Sequence, residues 1–276
     1  MKVALIVVAK NEEQHLIEFI EYYKNLGIDN IFFGDNNDEG KTQYDLLKSY
    51  IDNGYVKYYN YHNIKNIQHI FYDDIYFKEK DNYDWFVVFD CDEFLNIGEF
   101  GDIKNYINNR VNNNDYFDLI QIRWKCAKYK EIKYHNQNKT YKDDEENLEF
   151  YYRTIIKFIF KSSDKIIRIN GHYPIYKDNL NIYSLVEGYG IILFCEKCDL
   201  KKLHFNISDI FLKHYQFMSL DEYVNKKCNG RAARTKTFLE SMTTQELIDI
   251  YFKYTNYKDN DNKAHEYLVN EFNKYK

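Results

Sequence analysis

The chain has 276 residues, 45% of them hydrophobic and 29% charged, enough for one large core or one core with a small appendage. Its formal net charge of −5 excludes a surface that binds nucleic acid as a whole. No apolar run approaches the ~18 residues of a membrane span. Five scattered cysteines suit a reducing compartment, so a cytoplasmic protein is expected.

The first hundred residues alternate between strand and helix patterns. Residues 3–8 form an apolar, β-rich run, followed at once by Lys10, Asn11, Glu12 and Glu13 with no small-residue cleavage pattern, so the run reads as a buried strand, not a signal core. Asn11 with Gln14 three places on has the form of a capping box, and Leu16, Phe19, Ile20, Tyr23 and Leu26 follow at helical spacing up to Gly27 in the C′ position. Ile31–Phe33 is a second strand, 42–53 a helix closed by Gly54, 55–61 a third strand, 66–80 a helix and Trp85–Phe89 a fourth strand. Near-continuous apolar strands alternating with helices predict a mostly parallel sheet covered on both faces.

Beyond residue 100 the spacing predicts a helix over 103–112 and strands at 117–123, 154–160 and 165–169, with 130–150 as a mobile polar loop. Ser219 and Glu222 form a second capping-box pair, and helices follow at 244–254 and 263–275. Cys195 and Cys198 make a lone CxxC, a weak sign of zinc or redox chemistry without a second pair. Residues 201–236 are basic, with eight Lys/Arg against three acids.

Ligands of parallel α/β sheets bind outside the carboxyl ends of the strands. Three strands end in polar clusters there: Lys10-Asn11-Glu12, Asp35-Asn36 and Asp90-Cys91-Asp92-Glu93. Three carboxylates within four residues repel one another, so a cation belongs beside them. Aspartates at i and i+2 of an extended chain point the same way and suit a hard divalent ion that bridges diphosphate oxygens. A haloacid-dehalogenase-like phosphatase, with one aspartate as nucleophile, is an alternative, although that motif lies on the first strand and is followed by Thr or Val. A non-catalytic carbohydrate-binding module is another.

Ordered motifs add to this reading. "AKNEEQHLIEFIEYYKNLGIDNIFFGDNNDEG", "QHIFYDD", "WFVVFDCDEFL", His172-Tyr173-Pro174 and "HYQFMSLDEYVNKKCNGRA" together resemble bacterial members of glycosyltransferase families 2 and 92. The matches run from residue 9 to 233; Asp73 and Asn229 depart from the pattern. The resemblance implies an α/β fold of GT-A type: a Rossmann-like, mostly parallel central sheet flanked by helices, with a helical C-terminal segment. It implies a catalytic domain over 1–215 (nucleotide half about 1–100, acceptor half about 101–215) and a helical extension over 216–276 packed on it. It further implies Mn2+ or Mg2+, a nucleoside-diphosphate donor such as a UDP-sugar, a glycan or lipid-linked acceptor, inversion, and a role in cell-surface polysaccharide synthesis.

Carried over by position, the resemblance places the metal on Asp90, Asp92 and His214, and the nucleotide against Ala9, Asn11, Glu12, Asp35, Asn36, Gln68, Tyr72 and Asp73. Lys226 and Arg231 are expected on the diphosphate. Alternatively, Lys201, Lys202, Lys226, Lys227, Arg231, Arg234 and Lys236 form a patch holding the protein at the inner face of an anionic membrane. The catalytic base is the least defined role: Glu93 adjoins the aspartates although alternation turns it away from them, and Glu187 and the acids at 143–146 are other options.

Overall fold

The computed structural model describes residues 1–40, 42–113, 117–135, 140–178, 180–194, 206, 208–216, 219–229, 238–255, 257 and 261–275. The fold is α/β and Rossmann-like, with helices on both faces of the sheet, as expected. Its N-terminal half is the anticipated alternation: β1 (Val3–Ala9), α1 (Glu13–Asn25), β2 (Asn30–Asp35), α2 (Tyr44–Asp52), β3 (Val56–Asn60), α3 (Ile67–Glu79) and β4 (Trp85–Val88). These strands lie parallel in the order β4-β1-β2-β3.

β1 shows why its sequence is apolar throughout. Val3, Leu5, Val7 and Ala9 enter one core with Leu16, Phe19, Ile20 and Tyr23 of α1, while Ala4, Ile6 and Val8 enter a second core with Phe71, Tyr72, Ile75 and Tyr76 of α3. Side chains alternate along a strand, so a strand covered on both sides has no polar face to offer water.

The second half mixes directions. β4 pairs antiparallel with β7 (Leu148–Lys161), which pairs antiparallel with β6 (Leu119–Tyr129). β5 (Glu93–Ile97) runs antiparallel to β12 (Ile210–His214), and β12 runs parallel to β6. β8 (Ile166–Ile169) and β9 (Pro174–Tyr176) form a separate hairpin against α3, and β10 (Tyr183–Val186) with β11 (Gly190–Leu193) extends the sheet beyond β6. α4 (Ile103–Asn113) covers the first core. The C-terminal helices α5 (Leu220–Cys228), α6 (Phe238–Ser241), α7 (Thr244–Thr255) and α8 (Asn262–Asn273) follow; α5, α7 and α8 share a third core around Tyr223, Leu247, Tyr251, Leu268 and Phe272.

The sequence expectations need correction in three places. Asn11 is not the cap: the N-cap of α1 is Glu12, one residue later, which makes no side-chain cap, and Asn11 takes the left-handed conformation (φ 56°) so that its N–H reaches Asn37 Oδ1 at 2.8 Å. Gly27, by contrast, takes φ +90° directly after the C-cap Leu26. Within 130–150 the described part is anchored, not mobile. The N–H groups of Tyr141 and Lys142 donate to Glu18, the Tyr141 ring stacks between His15 (3.7 Å) and Tyr215 (4.2 Å), and buried Asp144 accepts from Lys133 at 2.7 Å. Strands β5 and β9–β12 carry too few residues to announce themselves by period.

Tyr23 ties α1 to the strand that follows the acidic cluster: its hydroxyl donates to the Glu93 carbonyl at 2.8 Å and accepts from Leu95 N–H at 3.2 Å, all in the core. Tyr23→Phe should lower unfolding free energy by about 1–3 kcal/mol, because it strands a buried N–H and carbonyl. Urea denaturation followed by circular dichroism measures this, and an unchanged midpoint refutes the role.

Candidate active site

β4 stops at Val88, and Phe89 to Asp92 turn sharply into β5. The turn closes on itself: Glu93 N–H donates to the Asp90 carbonyl at 3.0 Å, and Asp90 N–H donates to Glu93 Oε2 at 2.8 Å. Asp90 and Asp92 both line an open cleft whose empty volume, mouth included, is ≈ 990 Å³. Asn11, Glu12, Gln68, Trp124, Lys157, His172, His214 and Lys226 line it with them. The cleft lies at the carboxyl ends of β1 and β4, where the parallel part of the sheet opens.

The cation demanded by the acids is in part the protein's own. Lys157 of β7, 1% exposed, sits 3.0 Å from Asp90 Oδ2 and 3.2 Å from Glu93 Oε2. Lys226 of α5 is 2.8 Å from Asp92 Oδ2 and 3.8 Å from Glu12, and His214 Nε2 is 3.4 Å from Asp92 Oδ1. Burial works to raise the Asp92 pKa, but Lys226 and then His214 more than reverse it and hold the group well below the usual carboxylate range. Burial lowers the His214 pKa against the pull of Asp92, so the imidazole is neutral at pH 7. Burial lowers the Lys157 pKa in turn, but Asp90 and Glu93 outweigh it and keep the ammonium charged. Two carboxylates share that one cation, and burial raises the Glu93 pKa well above the usual carboxylate range, with Lys157 opposing the shift.

The structure thus brings Asn11, Glu12, Gln68, Asp90, Asp92, His214 and Lys226 together from the sequence reading. Others do not line the cleft. Glu93 is turned into the core beneath it. Ala9 packs in the first core. Asp35 is buried and accepts from Gln43 N–H and Tyr58, and Asn36 donates to the Tyr61 and Ile64 carbonyls. Tyr72 is buried behind Gln68, whose amide donates to its hydroxyl at 2.8 Å and to Asp90 Oδ1 at 3.2 Å. Asp73 faces the β8 hairpin, accepting from Ile169 N–H and pairing with Arg168 at 3.3 Å. Glu187 is held by Arg110 and Tyr106. Arg231 lies outside the described residues, as do Lys201, Lys202, Arg234, Lys236, Cys195 and Cys198. The basic membrane patch loses two of its members: Lys226 is committed to the cleft, and Lys227 is buried over the Tyr223 ring.

Lys157 and Trp124 were missed as site residues. A lysine inside the apolar strand "TIIKFIF" was the available signal, since a lysine buried there needs a carboxylate partner. Trp124 stands where the β6–β7 register shifts, the kind of irregularity that re-aims a side chain. Its Nε1–H and the Asn11 Nδ2 group are buried without a protein acceptor, on residues that line the cleft.

Comparison with known proteins now decides the family. The pattern of glycosyltransferase family 92 matches residues 4–253. The chain belongs to that family. It is therefore a glycosyltransferase, and the phosphatase and binding-module alternatives fall away. No curated protein matches it. Among solved structures, S. aureus TarS is similar at 13% identity over 46% of this chain and 22% of that one (TM-score 0.35). S. aureus TarS 1-349 in complex with UDP is similar at 13% identity over 46% and 36% (TM-score 0.34). S. aureus TarS 1-349 is similar at 10% identity over 100% and 80% (TM-score 0.42). The chain thus spans less than two thirds of the first two, and likenesses this low carry no argument here. No helix among the described residues is long and apolar enough to cross a membrane.

The Lys157 pairing has a pH signature. Lys157→Met leaves Asp90 and Glu93 without their cation, which should cost about 3–5 kcal/mol at pH 7. A buried acid whose folded pKa exceeds its unfolded one takes up a proton on folding. Its contribution is present at low pH and is lost as pH rises from the ordinary carboxylate pKa through the raised one. Removing the lysine raises the Glu93 pKa further, so the deficit of the variant should shrink on acidification toward pH 4. Denaturation midpoints from pH 4 to 8 test this, and a deficit independent of pH refutes it.

Proposed function

We propose that this glycosyltransferase transfers a sugar from a nucleoside-diphosphate donor, UDP-linked, to a glycan or lipid-linked hydroxyl, with inversion and with Mn2+ or Mg2+, in cell-surface polysaccharide synthesis. One observation carries the reading: Asp90 and Asp92 from one stretch of chain, and His214 and Lys226 from another far along it, line one cleft at the carboxyl ends of the parallel strands.

The donor set fits a hard divalent ion held openly. Asp92 Oδ1 and His214 Nε2 lie 3.4 Å apart, so these two side chains would hold the ion, and burial keeps the imidazole in its neutral form. Among the described residues no group of three or more metal-ligating side chains gathers, so Asp90, Asp92 and His214 do not form the one ligand set expected, and Asp92 and His214 are the pair that would hold an ion. When bound, the ion neutralises the charge that develops on the leaving diphosphate. In this reading Asp92 and His214 hold it, and Gln68 and Lys157 fix the Asp90 carboxylate. Lys226 moves its ammonium from Asp92 to a diphosphate oxygen. Asn11 and Trp124 offer their unpaired N–H groups to donor oxygens. Glu93 positions the turn through the Asp90 N–H and is not assigned as the base. Residues 1–100 serve the nucleotide and 101–215 the acceptor, while α5 of the 216–276 extension closes the cleft with Asn225 and Lys226.

Release of UDP from a panel of UDP-sugars with Mn2+ or Mg2+ is the direct assay. Asp92→Asn should abolish the metal-dependent rate while the protein stays folded; unchanged turnover would sink the metal assignment. Lys226→Met should bind UDP roughly tenfold or more weakly, the loss of a charge-assisted contact of ~1.5–3 kcal/mol. It should also bind Mn2+ more tightly in the absence of nucleotide, because Asp92 no longer carries an ammonium. Titration calorimetry reads both effects, and Mn2+ affinity equal to that of the wild type refutes the second.

A further inference from the structure

The acid candidates for the proton-accepting role are all committed. Among the described residues the cleft carboxylates are Glu12, Asp90 and Asp92, and each faces a lysine within 3.8 Å. His214 turns Nε2 to Asp92 and Nδ1 to Cys126 Sγ at 3.9 Å. Of the other titratable groups on the cleft wall, Lys10 pairs with Asp38 at 2.8 Å and burial pushes the Cys91 thiol up, which leaves His172 of the His-Tyr-Pro motif, a residue to which the donor reading gives no task.

His172 is placed by local chemistry. It sits in the turn between β8 and β9, where Asn170 Oδ1 accepts from His172 N–H at 2.9 Å and Asn170 N–H donates to the Tyr173 carbonyl at 2.9 Å. Its neighbour Gly171 packs on Gln68, so closely that a Cβ there would stand 3.4 Å from Gln68 Oε1, and Gln68 in turn donates to Asp90. The turn is therefore docked onto the acid pair through one side chain. The ring lies 5.9 Å from the Trp124 ring, and Trp124 stands 4.0 Å from the His214 ring, so both histidines flank one tryptophan.

The Ile156 carbonyl oxygen lies 3.4 Å from His172 Nδ1 and can only accept, which favours the neutral tautomer with the hydrogen on Nδ1 and the lone pair on Nε2. We propose that His172 is the general base of the transfer, taking the proton of the acceptor hydroxyl on Nε2, an inference that rests on the donor reading above. The acceptor oxygen forms the new bond to the anomeric carbon. The bond from that carbon to the diphosphate oxygen breaks, and its electron pair leaves on the diphosphate. The hydroxyl proton moves to Nε2, and the imidazolium returns it to solvent. Desolvation by the cleft wall and then the Lys157 charge lower the pKa of His172, whose side chain still reaches solvent, with Asp90 and the Ile156 carbonyl opposing, so the ring is unprotonated at neutral pH. A base acts in its unprotonated form, so the rate should climb with pH through a pKa below 6.5 and be level at pH 7 and above.

The experiment uses the whole chain with Mn2+ and the UDP-sugar that it cleaves fastest, water or the natural hydroxyl serving as acceptor. His172→Gln and His172→Ala should lower kcat by roughly 100-fold or more. UDP affinity in the presence of Mn2+ and the melting temperature should stay at wild-type values. The acidic limb of the pH profile should vanish in His172→Gln, and added imidazole should restore part of the His172→Ala rate. His172→Gln turning over within about threefold of wild type, or losing UDP affinity in proportion to rate without imidazole rescue, overturns the assignment alone. A wild-type protein that neither binds UDP nor releases it from any donor overturns the donor reading and this inference with it.

Discussion

The structure depends on neutralising three carboxylates that the chain gathers on one turn. Asp92 and Glu93 are buried and Asp90 stands partly exposed beside them, and carboxylates that close together with little solvent are strongly unfavourable. Their partners come from far along the chain. Lys157 is 67 residues from Asp90, and Lys226 is 134 residues from Asp92. The acidic turn is therefore tolerable only once β7 has been laid beside β4 and α5 has docked, which couples the two halves of the chain electrostatically as well as by packing.

That coupling shapes the chemistry. The fully buried lysine, Lys157, serves the scaffold: it holds Asp90 in place while Glu93 braces the turn from beneath. Lys226, on the last turn of α5, sits at the cleft mouth and binds Asp92 from the open side. The first is 1% exposed, whereas the second keeps 18% of its side chain open to solvent. A site arranged in this way is preorganised, since its charges are paired before any ligand arrives and a ligand needs only to redistribute them.

Much of this was legible from residue patterns. The alternation of β1, α1, β2, α2, β3, α3 and β4 was visible because β1, β2 and β4 are apolar on both faces and α1 carries a 3.6-residue stripe. The Ser219–Glu222 capping box is present as read, because it is a purely local pair of reciprocal bonds. The Asn11–Gln14 pair has the same form and is not a cap, because the long-range bond from Asn11 N–H to Asn37 competes for that backbone. The stretch around Tyr141 looked polar and loose, yet one aromatic ring stacked between His15 and Tyr215 and one acid, Glu18, pin it.

The sequence by itself determined the class of fold, the strand ends where polar clusters gather, and the need for positive charge beside Asp90 and Asp92. These follow from periodicity and from like-charge repulsion, both of which act between near neighbours in the chain. Only the tertiary structure decided which cations answer that need, which polar residues reach the cleft, and which turn away. Glu93, Asp35 and Asp73 were candidates by position, and each is taken up by a partner remote in sequence or by the local backbone. Lys157, Trp124 and His172 enter the cleft through strand pairing, a register shift and a hairpin docked on α3. The direction in which a side chain faces depends on contacts made across the fold, and one-dimensional spacing does not encode those contacts.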